Sequence, residues 1–409
     1  MASCATGPGS DPPAGIGHNV LLTGATGLLG AQIMRRILLD CPRSRLSLLV
    51  RPKPGAAADD RARELLGRAL GHDESERLRD RVDVVAGDIS LAGMGLSAQD
   101  ARSLESRVDH VIHCAATIRF DLPLGVARRH NTYGTRNVLD FCERLPRSSR
   151  LDYIGTAYVA GRRSGVVRED ELDVGQRFWN SYEQTKMEAE ALVRRFAERR
   201  PAAIYRPSII VGDSRTGETA TFQGLYQLVS LYMRRLVLAI PADPSTHPDL
   251  VPVDYVVDAL FALMNTRRSI GRCFHLAAGA GNTCSFDELL SMTAEFTKVE
   301  PPPYVSFETY HRFVKPLFRA FLWGKKRAAA MKGEYYLPYL SSKMVFDKSN
   351  TDALLRGSNV AVSHPRTYFR KLVAFQARAL GIAAQTSDLA SDARPPVVDA
   401  AAARGGAAS

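Results

Sequence analysis

Short apolar runs alternate with segments of helical length along the first half of the chain. The runs are the length of buried strands, and the segments between them repeat their apolar residues every three or four positions. The predicted strands are 19–24, 46–51, 82–88, 108–116, 150–158 and 202–212. The predicted helices between them are 29–41, 61–72, 131–145 and 181–200. Such alternation is typical of β-α-β crossovers and predicts an α/β fold, a doubly wound parallel sheet over residues 19–215.

The pattern changes after residue 215. Two further helical segments flank an apolar segment and one more strand; in chain order these are 221–237, 249–264, 272–278 and 285–299. They predict a smaller mixed substrate lobe over residues 216–383, with strands that return to the first sheet and helices towards the C-terminus.

The two ends of the chain differ in composition from the middle. Residues 1–18 are rich in Gly, Pro, Ala and Ser and are predicted to be flexible, and residues 384–409 have low complexity and are predicted to be disordered. Neither a secretory signal nor a run of the roughly 20 apolar residues that a membrane span needs is found. The six cysteines form no CxxC pair, so we predict no metal site and expect a cytoplasmic protein.

The formal net charge is +11, which favours acidic partners such as nucleotide phosphates, an acidic carrier protein or an anionic membrane face. Nucleic acid is not predicted as a partner, because aromatic and basic residues do not interleave as a stacking platform requires. A basic solvated surface without a dedicated partner is the simpler alternative.

The stretch NVLLTGATGLLG, residues 19–30, places three glycines between the first strand and the first helix. The first glycine can take a tight turn, the second admits a pyrophosphate, and the third lets the helix pack closely. The phosphates then lie at the helix N-terminus, where N–H groups and the helix dipole favour negative charge. The predicted cofactor residues of this loop are Thr23, Gly24, Thr26, Gly27, Leu28 and Gly30. The alternative is a glycine turn without a ligand.

Positive charge at the end of the second strand distinguishes two cofactors. Chains that prefer NAD usually place an acid there for the ribose 2′-hydroxyl. Here Arg51 and Lys53 stand instead, which favours the 2′-phosphate of NADP(H) unless both are only surface charges.

The ends of the next two strands add further predicted cofactor contacts. Asp88, followed by Ile89, is placed to accept a hydrogen bond from the adenine amine. After the fourth strand, the small side chains of Ala115 and Ala116 let the cofactor lie close to the backbone, with Thr117 beside them.

Tyr182 and Lys186 are four residues apart on a predicted helix, so both project from one face. An unassisted tyrosine has a pKa near 10, and a nearby ammonium is expected to lower it into a usable range. Thr156 can hydrogen-bond the reacting oxygen, and Asn131 can complete a relay near Lys186. Taken singly, each is equally explained as an ordinary helix or strand residue.

The TGxxGxxG loop followed by Asn131, Thr156, Tyr182 and Lys186 resembles the pattern of the extended short-chain dehydrogenase/reductases, and the resemblance covers about residues 19–280. The stretches VDHVIHCAATIRFDLPL, RPSIIVGDSRTGET and FDKSNT are similar to fatty acyl-CoA reductases and carrier-protein thioester reductase domains. In RPSIIVG, Pro207 and Ile209 are further predicted cofactor contacts.

The resemblance implies an NADPH-dependent reductase of an acyl thioester, which gives an aldehyde or an alcohol. CoA or an acyl carrier protein would deliver the thioester, and the protein is expected to be a monomer or a homodimer. Eukaryotic fatty acyl-CoA reductases carry a Glu-Pro and Trp-containing loop after RPSI, and DSRTGETATFQG stands in its place here. The acyl chain length of their substrates is therefore not implied for this protein. Alternatives of the same fold are a carbonyl reductase or hydroxyl dehydrogenase, a sugar-nucleotide epimerase or dehydratase, and a non-catalytic NADP-sensing module.

Residues 311–333 combine apolar residues at helical spacing with a basic face. This pattern suits weak contact with an anionic membrane surface or a cover over an acyl tunnel. Packing of the apolar stripe on the core is the favoured alternative, and Pro316 is expected to interrupt the helix unless it falls in the first turn.

Overall fold

A computed structural model describes residues 15–317 and 334–382. The strands of these residues are β1 (Asn19–Thr23), β2 (Arg45–Val50), β3 (Val82–Ala86), β4 (His110–His113), β5 (Arg150–Ile154), β6 (Gly165–Val167), β7 (Ala202–Pro207), β8 (Ile209–Val211), β9 (Leu250–Pro252), β10 (Cys273–Leu276) and β11 (Met344–Phe346). Seven of them form one parallel sheet in the order β10-β7-β5-β4-β1-β2-β3. The predicted doubly wound α/β fold is confirmed, and the strand order reverses between β1 and β4.

Helices cover both faces of the sheet. They are α1 (Leu28–Asp40), α2 (Ala58–Leu70), α3 (His72–Arg77), α4 (Ala98–Arg107), α5 (Leu124–His130), α6 (Thr132–Arg144), α7 (Ser181–Ala197), α8 (Leu225–Met233), α9 (Val253–Met264), α10 (Phe286–Thr297), α11 (Phe307–Thr309), α12 (Ser349–Leu355) and α13 (Pro365–Ala379). Short 3-10 helices include Ala157–Ala160 and Glu334–Ser341. Within the described ranges, no helix has the length and apolar character needed to cross a membrane.

The strand alternation divides the core between the two sheet faces. In β1, Val20 and Leu22 join a cluster with α1, α2 and α9, whereas Leu21 joins a cluster with α4, α6 and α7. All three side chains are fully buried. Because successive side chains of a strand point to opposite faces, a continuous apolar run is what a sheet covered on both sides requires.

The segment predicted as one strand over 202–212 forms two. Pro207 ends β7, and the buried Ser208 donates its hydroxyl to Asp249, the residue before β9. Proline has no N–H for a ladder, and the Ser208–Asp249 bond directs the chain away from the sheet. β8 therefore pairs with β9 in a separate two-stranded sheet.

A third apolar cluster joins α8, α10, α13 and the Glu334–Ser341 turn on the C-terminal side. A later strand, β10, lies in the main sheet beside β7. The division into domains at residues 215 and 383 remains a prediction. Residues 1–14, most of the 311–333 stretch and the 384–409 tail lie outside the described residues.

The described start of that basic stretch is helical. A π-helical turn over Tyr310–Val314 follows α11, and residues 315–317 continue as α-helix, so Pro316 does not interrupt the helix over the described residues. Tyr310 is buried against the C-terminal cluster, but Phe313 and Leu317 are exposed. The predicted apolar stripe is thus only partly packed on the core over these residues.

Candidate active site

The glycine-rich loop connects β1 to α1 at the carboxyl edge of the sheet. Gly24 has a φ of +81°, which an L side chain rarely adopts, and a Cβ there would lie 2.6 Å from the Ala115 nitrogen. A Cβ on Gly30 would collide with the Gly24 carbonyl oxygen. By contrast, a Cβ on Gly27 meets only ordinary contact distance within the protein. The first and third glycines are therefore required by the loop itself, and the second keeps the backbone at the start of α1 open to a ligand.

A cleft of about 560 Å³ lies over this loop and the ends of β1, β2, β3 and β4. Its lining includes ten of the predicted cofactor residues: Thr23, Gly24, Thr26, Gly27, Arg51, Asp88, Ile89, Ala115, Ala116 and Thr117. A cleft at the point where strand order reverses is the usual nucleotide site of open α/β sheets. The sequence-predicted loop residues and strand ends thus meet at one place.

Other predicted cofactor residues do not line this cleft. Gly30 is buried beneath the loop, and Leu28 is the first residue of α1. Lys53 is exposed in a tight turn whose backbone bonds to Ala56. Pro207 and Ile209 lie at the end of β7 and in β8, beyond β5. The role of Lys53 beside Arg51 is therefore not supported, because its turn separates it from the cleft wall.

One end of the cleft concentrates positive charge. Arg51 and Arg61 both line it, and an Arg61 N–H donates to the Arg51 carbonyl oxygen. Partial burial, followed by the charge of Arg51, lowers the pKa of Arg61 and of His130, which also lines the cleft. Two neighbouring arginines with an open cleft between strand and helix suit a phosphate group. Arg61 was missed by the sequence analysis, where its only signal was that it lies on the helix after Arg51.

Asp88 already has partners in this structure. Its Oδ1 accepts from the Ser90 N–H at 2.8 Å, and Arg51 Nη1 lies 3.6 Å from its Oδ2. Burial raises the pKa of Asp88, but the Ser90 hydrogen bonds and the Arg51 charge outweigh burial and hold it below its ordinary value. One carboxylate oxygen thus fixes the loop, and the other balances Arg51 while it faces the cleft.

The predicted catalytic side chains meet beside the cleft. Tyr182 and Lys186 lie on the first turns of α7, and Thr156 follows β5. The Thr156 hydroxyl lies close enough to the Tyr182 phenol group to lower the pKa of that phenol. Lys186 Nζ donates to the Ile154 carbonyl oxygen at 2.9 Å and lies 4.4 Å from the Tyr153 ring centroid. Cys114 in the cleft wall lies close enough to Lys186 and Tyr182 to affect the pKa of both, so the pair borders the cleft.

The expectation that Lys186 lowers the pKa of Tyr182 is wrong for this arrangement. Burial raises the pKa of Tyr182 to about 12, although the Thr156 hydrogen bond acts in the opposite direction. Burial also lowers the pKa of Lys186 to about 8, because its ammonium is almost fully enclosed. Desolvation disfavours the charged form of each residue and is the largest cause of both shifts. Tyr182 is therefore a protonated phenol at neutral pH, which suits a proton donor.

Asn131 is buried between the cleft wall and α7. Its Oδ1 accepts from the Thr117 N–H at 2.8 Å, and its Nδ2 donates to the Thr185 hydroxyl at 3.0 Å. These bonds lead to the neighbour of Lys186 rather than to Lys186 itself. Asn131 thus joins the loop after β4 to the helix that carries Tyr182 and Lys186, and the relay near Lys186 stays a prediction.

An aromatic cluster that the sequence did not reveal surrounds Tyr182. The Phe120 ring lies 5.5 Å from the Tyr182 ring and 5.1 Å from the Tyr336 ring. Tyr339 lies 5.1 Å from Tyr158, two residues after Thr156. No spacing in the sequence links these residues, since they come from four separate segments that only the fold brings together.

Solved structures of known proteins share this fold. The terminal R domain from the myxalamid PKS-NRPS biosynthetic pathway superposes with a TM-score of 0.75 at 27% identity, over 92% of this chain and 94% of that one. A UDP-glucuronic acid 4-epimerase from Bacillus cereus shares the fold, with a TM-score of 0.61 at 19% identity over 90% of this chain and 99% of that one. The fold and site define an NAD(P)-dependent oxidoreductase of the extended short-chain dehydrogenase/reductase type.

The family follows from the sequence match. A model described as "Male sterility protein", an NAD-binding domain, matches residues 22–260, and the chain belongs to this family. Fatty acyl-CoA reductase 1 of Arabidopsis thaliana is 25% identical over 82% of this chain and 89% of its own length. Fatty acyl-CoA reductase wat of Drosophila melanogaster is 27% identical over 59% of this chain. The chain spans only 53% of that relative and 54% of another fruit-fly relative.

Proposed function

We propose that this protein uses NADPH to reduce an acyl thioester, carried by CoA or an acyl carrier protein, to an aldehyde or an alcohol. The observation that carries the proposal is the Thr156–Tyr182 pair beside Lys186, set at the edge of the nucleotide cleft. Support also comes from relatives named fatty acyl-CoA reductases and from the thiolation-reductase di-domain of an archaeal peptide synthetase, which shares the fold at 20% identity.

The residues of the cleft fit a 2′-phosphorylated nucleotide. The open backbone at Gly27 and the start of α1 would hold the pyrophosphate, and Arg51 with Arg61 would hold the 2′-phosphate. When bound, NADPH supplies a hydride for the carbonyl carbon of the substrate. The predominance of arginine at the ribose end, without a free carboxylate, favours NADPH over NADH.

The side chains around Tyr182 supply the proton and stabilise the oxygen. As negative charge develops on the carbonyl oxygen, Thr156 and Tyr182 donate hydrogen bonds to it, and Tyr182 transfers its proton. The Lys186 ammonium stabilises the phenolate that remains and would hold the nicotinamide ribose. The resulting hemithioacetal breaks its carbon–sulfur bond, which releases the thiol and leaves the aldehyde.

The test is an assay of NADPH consumption with an acyl-CoA, with an aldehyde, and without substrate, followed by product identification. We expect consumption with the acyl-CoA and an aldehyde or alcohol product. Tyr182→Phe should reduce kcat by about a thousandfold or more, because the proton donor is lost. NADPH affinity, measured by fluorescence titration, should change little in this variant. Consumption with the aldehyde alone would favour a carbonyl reductase, and binding without turnover would favour a sensor.

A further inference from the structure

Glu183, the residue after the catalytic tyrosine, is a fully buried carboxylate. Its Oε2 accepts from the Trp179 N–H at 2.9 Å, and its Oε1 accepts from the Tyr339 hydroxyl. A buried acid next to Tyr182 is costly unless it is hydrogen-bonded. None of the steps above uses it.

Tyr339 closes a ring of hydrogen bonds at the start of α7. Asn180 Nδ2 donates to the Tyr339 oxygen at 2.8 Å, and Asn180 Oδ1 accepts from the Glu183 N–H at 3.0 Å. Since the phenol oxygen already accepts from Asn180, its single proton goes to Glu183. The ring therefore joins Tyr339 to both residues that flank the first turn of the catalytic helix.

The same tyrosine also contacts the other half of the catalytic pair. Its ring makes an edge contact with Tyr158, whose N–H donates to the Thr156 hydroxyl at 3.3 Å. Tyr339 comes from the Glu334–Ser341 turn, whose Leu337 and Leu340 are buried in the C-terminal apolar cluster. One side of this 3-10 helix thus packs in the C-terminal apolar cluster, while the other contacts the elements that carry Tyr182 and Thr156.

We infer that Tyr339 and Glu183 are positioning residues through which the C-terminal apolar cluster fixes Tyr182 and Thr156 in their reactive arrangement. This inference rests on the proposed hydride-transfer function. A charged acceptor makes the Tyr339–Glu183 hydrogen bond stronger than a neutral one would, so the ionised carboxylate is the form that holds the site.

The ionisation of Glu183 falls in an accessible pH range. Burial raises its pKa to about 7, while the hydrogen bonds from Tyr339 and Trp179 and the charge of Arg162 oppose that rise. The other titratable groups that face it are Tyr182 on its own helix and Tyr158 on the turn after β5. These tyrosines stay neutral in this range, so an ascending limb near pH 7 reports Glu183.

The experiment measures kcat from pH 5.5 to 8 for the wild type, Tyr339→Phe, Glu183→Gln and the double variant. We expect the wild-type kcat to rise through about pH 7, and each single variant to lose roughly tenfold with NADPH affinity unchanged. Glu183→Gln should lack the ascending limb. Because both act as one unit, the double variant should lose no more than either single variant. Tyr335→Phe, a neighbouring exposed tyrosine, is the matched control and should behave as wild type.

Three results would overturn the inference: unchanged kcat in Tyr339→Phe, losses that multiply in the double variant, or an ascending limb that persists in Glu183→Gln. Circular dichroism and thermal unfolding check that each variant folds, and Glu183→Gln, which preserves shape, decides the matter if Tyr339→Phe does not. If the wild type reduces an aldehyde but no thioester, the proposed substrate is wrong and the same variants are compared with the aldehyde. Turnover of neither substrate would overturn both proposals.

Discussion

Arg51 and Arg61 form the most cationic part of the cleft wall. We expect Arg51→Ala and Arg61→Ala each to weaken NADPH binding by about tenfold or more, because a charge-assisted phosphate contact is lost. NADH, which lacks the 2′-phosphate, should bind nearly as before. Fluorescence titration with both nucleotides measures this difference.

The matched control is Arg63→Ala, on the same helix as Arg61. Arg63 is exposed and pairs with Asp60, so its loss should leave both affinities unchanged. Equal weakening of NADPH and NADH by Arg51→Ala would show that this arginine does not read the 2′-phosphate.

The ionisation of Lys186 is expected to set the decline of kcat at alkaline pH. Burial lowers its pKa to about 8, so the ammonium that stabilises the Tyr182 phenolate is progressively lost above that pH. We expect kcat to fall about tenfold per pH unit beyond the inflection, measured by NADPH oxidation at saturating substrate.

Lys186→Arg is the informative variant for this limb. A guanidinium keeps its proton throughout the range, so whatever activity remains should not decline between pH 8 and 9.5. A decline at the same pH in both proteins would assign the limb to another group. The same pKa also affects stability: the unfolded chain binds a proton that the folded one has released, so this contribution to stability rises with pH above about 8.

At the scale of elements, Glu169 attaches the FDKSNT segment to the sheet. This carboxylate is almost fully buried and accepts from the N–H groups of His275 at 2.8 Å and Asn350 at 2.6 Å. It also accepts from the Thr351 hydroxyl at 2.9 Å. The start of α12 and the edge strand β10 are thereby joined to the segment that follows β6. The FDKSNT segment that resembles fatty acyl-CoA reductases is thus held to the sheet by hydrogen bonds to Glu169.

Glu169→Gln should lower the free energy of unfolding by weakening these hydrogen bonds. An amide has one acceptor oxygen in place of two, so at least one buried N–H is left without a partner, at a cost of about 1–3 kcal/mol. Urea unfolding at pH 7.5 measures the free energy of unfolding. Asp170→Asn is the control, since Asp170 is exposed and pairs with the exposed Arg168, and it should change stability by less than about 0.5 kcal/mol.

At the scale of the whole molecule, the net charge of +11 is expected to attract substrates that carry phosphates. We expect the KM for an acyl-CoA to rise severalfold between about 50 and 300 mM salt, because screening weakens attraction between exposed charges. The same acyl group on uncharged N-acetylcysteamine is the matched substrate and should show almost no salt dependence. Equal salt effects on both substrates would rule out electrostatic attraction of the CoA phosphates.

The cofactor half of the protein was predictable because its determinants are local. Strand and helix periodicity, the glycines between β1 and α1, and the small residues after β4 act within a few positions of one another. Ten predicted residues accordingly line one cleft. Lys53 and Ile209 do not, because a turn and a change of sheet, which proximity in sequence does not reveal, carry them away from it.

The sequence by itself determined the fold class, the nucleotide loop and the identity of Thr156, Tyr182 and Lys186 as the candidate catalytic group. Only the tertiary structure decided their environment. Burial, which depends on every segment packed around a side chain, reversed the expected direction of the Tyr182 pKa shift. The tertiary fold also places the Tyr339 hydroxyl in contact with Glu183, although the two residues are 156 positions apart in the sequence. Backbone preferences and side-chain periodicity are short-range, whereas desolvation and long-range hydrogen bonds exist only once the chain has folded.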